Sequence, residues 1–170
     1  DNYTVSQPTG LTANISAKTL TITGLSASNK VYNGNNTASL TGTAALSGVV
    51  GAEDVNLSGS PTATFPSSAV GNALTVTVTG YSITGTDIGN YSLSQPSGIT
   101  ADITAKNLTI TGVTANNKTF DGTTTATLSG TPSLTGLVGA DVVTVSGTPS
   151  ANFASSAVGS GIVVTVTGYT

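Results

Sequence analysis

Leu74-Thr75-Val76-Thr77-Val78-Thr79-Gly80-Tyr81 sets an apolar side chain on every second residue and a threonine between. In an extended chain successive side chains point to opposite faces, so this stretch has one face to bury and one to show to water. Its β-branched residues favour a strand. The run from Val76 to Tyr81 recurs unchanged as Val164-Thr165-Val166-Thr167-Gly168-Tyr169. Moving outward, a shift of 88 residues aligns 1–82 with 89–170 without a gap, and 47 of the 82 pairs are identical. A period of 88 exceeds the roughly 20–50 residues of a solenoid coil and suits a small domain repeated in tandem.

Alternation of the same kind marks Leu20/Ile22, Val55/Leu57, Tyr91/Leu93 and Ala101/Ile103, while no window supports a helix of three turns. Eight or nine candidate strands per period of 88, cut by Gly, Pro and Asn turns, predict an all-β chain of tandem immunoglobulin-like antiparallel β-sandwich repeats. Taking Lys18 and Lys106 as the junctions gives three parts. Residues 1–18 are a terminal strand segment of a preceding unit, or one donated to a neighbouring unit. Residues 19–105 are a complete β-sandwich repeat, and 106–170 are a second repeat lacking its last strands.

Composition narrows the chemistry. The 170 residues include no His, Cys, Met or Trp, and 33 Thr and 21 Ser supply much of the polarity. Imidazole bases, thiolate nucleophiles, disulfides and the usual zinc or iron–sulfur ligands are therefore excluded. Four Lys+Arg against 7 Asp+Glu cannot neutralise a run of phosphates or hold an anionic membrane, so neither nucleic acid nor membrane is an expected partner. Charged residues are 6% where about 25% is usual, so solubility rests on hydroxyls and amides, a pattern of secreted surface proteins. No stretch reaches the roughly 18 apolar residues of a membrane helix. The start, Asp1-Asn2-Tyr3-Thr4, lacks a signal-peptide layout, and the chain reads as an excised piece.

All eight aromatics fall at four repeat positions, Tyr3/Tyr91, Tyr32/Phe120, Phe65/Phe153 and Tyr81/Tyr169. Core or junction packing accounts for them, and a sugar-stacking platform is the functional alternative. Glu53-Asp54 is the nearest approach to a calcium loop, but its twin Asp141-Val142 carries one acid, and a cation needs several oxygens. The expected catalytic, cofactor and metal sets are therefore all empty, and the chain reads as no enzyme. Threonine strings such as Thr19 to Thr23 lie some 50 residues from the next, which argues against an ice-like docking lattice.

Two stretches carry a family resemblance. Asn29-Lys30-Val31-Tyr32-Asn33-Gly34-Asn35-Asn36-Thr37-Ala38 and Asn117-Lys118-Thr119-Phe120-Asp121-Gly122-Thr123-Thr124-Thr125-Ala126 resemble the Lys-x-Tyr-Asp-Gly-Thr-Thr-x-Ala signature of YDG repeats. That family occurs in bacterial filamentous-haemagglutinin-like adhesins and is related to the MBG group of bacterial immunoglobulin-like repeats. Neither copy keeps the full triplet, since Asn33 stands for Asp and Phe120 for Tyr. Lys30, Tyr32, Asn33, Gly34, Lys118, Phe120, Asp121 and Gly122 are therefore read as a structural turn, Asn-Gly and Asp-Gly both tolerating positive φ.

The resemblance implies a secreted, cell-surface fibre of adhesion or biofilm type in which such repeats serve as stalk or spacer. Its partners would be neighbouring repeats or copies of itself, with a host or matrix surface contacted by other domains. The alternative is a carbohydrate- or surface-binding module. The junctions Ala17-Lys18 and Ala105-Lys106 run from strand to strand without a linker, which predicts a stiff rod. Residues 1–18 copy part of what 106–170 lacks, so head-to-tail filaments by β-strand complementation are a further expectation.

Overall fold

A computed structural model describes residues 2–170, and Asp1, the first residue of the expected 1–18 segment, lies outside the described residues. Among the described residues there are strands and loops, with one 3-10 turn at Ile88–Asn90. Two compact units are present, Asp1–Lys30 with Asn35–Thr104, and Val31–Gly34 with Ala105–Thr170.

The first unit uses β1 (Lys18–Ala27), Lys30 of β2 (Lys30–Val31), β3 (Leu40–Ser47), β4 (Asn56–Thr64), β5 (Gly71–Thr75), β6 (Thr77–Thr84), β7 (Tyr91–Leu93) and β8 (Thr100–Thr104). They form three small sheets, ordered β3-β1-β7, β2-β8-β5 and β4-β6. Alternation becomes burial here. Leu20 and Ile22 from β1, Val78 from β6, Tyr91 from β7 and Ala101 and Ile103 from β8 are buried with Phe65 and Val76, while the threonines between them face out.

Two features go beyond the alternation. The stretch Leu74 to Tyr81 serves two sheets: Leu74 and Thr75 pair with β8, and Thr77 onward pairs with β4. At the changeover Val76 is buried and its N–H donates to the Ile99 carbonyl at 2.8 Å. The expectation of antiparallel pairing also meets one exception. β7 runs parallel to β1, with Lys18, Thr19 and Leu20 opposite Tyr91, Ser92 and Leu93. A parallel pair needs a long crossover, and the intervening five strands supply it.

The second unit repeats the pattern with β9 (Thr109–Ala115), β10 (Thr125–Ala126), β11 (Leu128–Thr135), β12 (Gly147–Phe153) and β13 (Val164–Tyr169). Their sheets are β11-β9 and β10-β12-β13. Even the irregularities recur. The β1–β3 register slips after Thr23 beside Gly24 and Gly42, and β9–β11 slips beside Gly112 and Gly130. A Cβ on Gly24 would lie 2.2 Å from the Thr43 carbonyl oxygen, and one on Gly112 would lie 2.3 Å from that of Thr131, so each bulge requires glycine.

The interiors differ. Among the described residues of the second unit the buried apolar side chains are Ala126 and Ala151, whereas Leu108, Ile110, Phe153, Val164 and Val166, the counterparts of the first unit's core, are half-buried. In the first unit β7 and β8 lie over that core, contributing the buried Tyr91, Ala101 and Ile103.

Candidate functional site

The turn motif is built around its lysine. In the first copy the Lys30 ammonium donates to the Asn35 carbonyl (2.7 Å), the Asn35 Oδ1 (2.9 Å) and the Thr37 carbonyl (3.0 Å), and lies 5.7 Å from the Phe65 ring centre. In the second, Lys118 donates to Asp121 Oδ1 (2.7 Å), the Thr123 carbonyl (2.8 Å) and Oγ1 (2.9 Å), and the Thr125 carbonyl (3.1 Å), again 5.7 Å from a ring, Phe153. One cation thus gathers the carbonyls of each turn, with an aromatic face beneath it.

Gly34 (φ 82°) and Gly122 (φ 75°) make the left-handed step of each loop. Asp121 also accepts from the Thr123 N–H and hydroxyl, both at 2.9 Å. Hydrogen bonding from Lys118 first, and from Thr123 second, holds its carboxyl at about 2, below the ordinary value. Tyr32 is half-buried, while its counterpart Phe120 is 64% exposed.

The acidic residues near Glu53 fasten loops in the first unit. Asp54 accepts from the side-chain amide of Asn56 (2.7 Å) and from the N–H of Thr86 (3.0 Å). Asp87 accepts from the Asp54 N–H (2.8 Å), and Glu53 accepts from the Tyr91 hydroxyl. That bond to Glu53 is the main reason the Tyr91 phenol ionises above its ordinary range.

The second unit contains an open groove of about 530 Å³. Asn116, Asn117 and Phe120 form one bank and Ser155, Gly161 and Ile162 the other, with Phe153 and Val164 among its lining residues. Subtracting the repeat length puts these at the residues that flank β8 in the first unit. There β8 sits between β2 and β5, with Ile103, Ala101 and Thr100 opposite Gly71, Leu74 and Thr75. In the second unit neither bank is a strand, although 159–163 copies β5 and 118–119 copies β2.

Nothing in the turn signature points to this groove.

Comparison with curated proteins and with solved structures found no match. A family model for the YDG domain matches residues 16–98 and again 104–170, one match on each copy of the lysine-centred turn. With those two matches covering most of its length, the chain belongs to the YDG domain family.

Proposed function

We propose that this chain is a load-bearing stalk or spacer from a bacterial secreted adhesin or extracellular filament, assembled head to tail by β-strand complementation. In this reading its repeats are immunoglobulin-like β-sandwiches, its partners are neighbouring repeats and copies of itself, and it carries no catalysis and needs no cofactor. The observation that carries it is the parallel pair β1–β7, which joins the first and a late strand of one unit. Pulling β1 from its N-terminal end and β7 from its C-terminal end slides the two along each other, so their hydrogen bonds share the load and must break together. The Ser94 N–H bonded to the Leu20 carbonyl at 2.9 Å extends that clamp. Family membership adds support, as does the use of Lys30 and Lys118 to brace loops within each copy.

Single-molecule stretching from the two ends of the chain tests this. A spacer releases the first unit in one resolved step of roughly 30 nm, about 3.5 Å for each unravelled residue. Smooth lengthening with no step rejects the mechanical role. The alternative, a carbohydrate- or surface-binding module, draws on the exposed Phe120 beside Asn117 in the groove. Groove resonances that shift with a glycan panel would favour it.

A further inference from the structure

We infer that Asn33 is a self-modification site: Gly34 closes on its side-chain amide, ammonia leaves, and the turn of the first copy gains the aspartate that the second copy has at Asp121. This is independent of the mechanical role proposed above and needs no enzyme.

Sequence supplies the reactive pair. Asn33 is the one asparagine of the chain that glycine follows. Ring closure joins the backbone nitrogen of the next residue to the asparagine side-chain carbon. A side chain on that next residue shields the nitrogen and narrows the φ it can adopt, and glycine does neither. The fold leaves the pair accessible. Asn33 and Gly34 are both exposed and lie outside any strand, with Gly34 at φ 82°. Among the described residues the Gly34 N–H donates to no backbone carbonyl, so no ladder bond has to break before its nitrogen reacts.

The atoms balance without a co-reactant other than water. Hydroxide takes the proton of the Gly34 N–H, the nitrogen bonds to the Asn33 side-chain carbon, and the bond from that carbon to its NH₂ breaks as ammonia takes a proton from water. Water then opens the cyclic imide, at one carbonyl to aspartate and at the other to isoaspartate. One water enters and one ammonia leaves, with nothing oxidised or reduced.

The second copy shows what the aspartate meets. Lys30 and Lys118 hold the carbonyls five and seven residues on, and each lies 5.7 Å from its phenylalanine ring. Lys118 also grips Asp121 Oδ1 at 2.7 Å, three residues on, and the same oxygen takes the Thr123 N–H at 2.9 Å. Asn33 stands at the same step from Lys30. The new carboxylate therefore has an ammonium already in place. That ion pair also makes the change one-way. An aspartate re-forms the imide through its neutral carboxyl, and hydrogen bonding from Lys118 first, and from Thr123 second, holds the Asp121 carboxyl at about 2 and so ionised. Asp121-Gly122 is thus inert where Asn33-Gly34 is reactive.

Ageing the full chain in warm, mildly alkaline buffer, followed by anion exchange and peptide mapping by mass spectrometry, tests the site. The expected result is an acidic form that accumulates faster as pH rises, with amide exchanged for acid at Asn33 ahead of every other asparagine and Asp121 unchanged. Gly34→Ala should slow the exchange about tenfold, because a Cβ disfavours the backbone conformations through which the ring closes. Asn33→Asp, which installs the product directly, should raise the melting temperature of the first unit by about 2 °C at low salt and by less at high salt. Exchange that begins at another asparagine, or an acidic form that Asn33→Gln produces at the same rate, overturns the site. A rate that Gly34→Ala leaves unchanged overturns the ring-closure route. A melting temperature that Asn33→Asp leaves unchanged or lowers overturns the ion pair with Lys30.

Discussion

Truncating Ile103 to alanine strikes β8, the middle strand of the β2-β8-β5 sheet. The side chain is 1% exposed and its strand lies between β5 and β2, so the substitution removes buried methylenes and leaves a cavity under the sheet. Losses for such truncations run from about 2 to 5 kcal/mol, and a short strand held by few ladder bonds has little means of collapsing onto the gap, which places the expectation at about 3 kcal/mol. The matched control is Ile15→Ala, the same change at the repeat copy, where the side chain is fully exposed and the expected cost in the monomer is within about 0.5 kcal/mol. Equilibrium urea unfolding in dilute solution, followed by tyrosine fluorescence, reads both, because Tyr91 is buried in the first unit. The Ile103→Ala midpoint for that unit should fall by more than about 1 M. Equal costs for the two isoleucines, or a loss below about 1 kcal/mol for Ile103→Ala, would refute the claim that β8 completes the core.

Replacing Lys118 by alanine leaves the carbonyls of Thr123 and Thr125 without their donor and should destabilise the second unit by about 1–2 kcal/mol, read as a lower melting temperature. Because the Asp121 carboxyl is held at about 2, it binds a proton less readily folded than unfolded. Its contribution is thus complete above the ordinary carboxylate value and is lost as pH falls from about 4 towards 2, so an acid titration of the second unit should flatten in Asp121→Asn. Ala73 sits at φ 49°, a conformation that costs a residue with a Cβ about 1–2 kcal/mol. After the extra chain entropy of glycine, Ala73→Gly should raise the first unit's stability by about 0.5 kcal/mol in the same urea assay.

The β architecture was legible because alternation, glycine and chain length all pointed one way. Leu20, Ile22, Val78, Tyr91, Ala101 and Ile103, read as one face, are buried in the first unit. The two-sheet role of Leu74 to Tyr81 was not legible, since a strand that changes partners at Val76 keeps the same alternation on both sides. Parallel pairing of β7 with β1 was likewise hidden, because side-chain period carries no strand direction. In the turn, Gly34 and Gly122 were readable from their neighbours, but the grip of each lysine on carbonyls five and seven residues on is set by backbone geometry that no residue pattern encodes. The contacts that hold β8, from Asp102 to Ala73 and Asn29, needed the positions of those residues, which lie 29 and 73 residues away in the chain.

Backbone hydrogen exchange in dilute solution compares the two copies most directly. Amides of 71–76, which flank β8, should exchange slowly, and those of 159–164, which border the open groove, should exchange at rates near those of unstructured chain, with protection appearing there as the concentration rises. Equal protection of both stretches at every concentration would contradict the account.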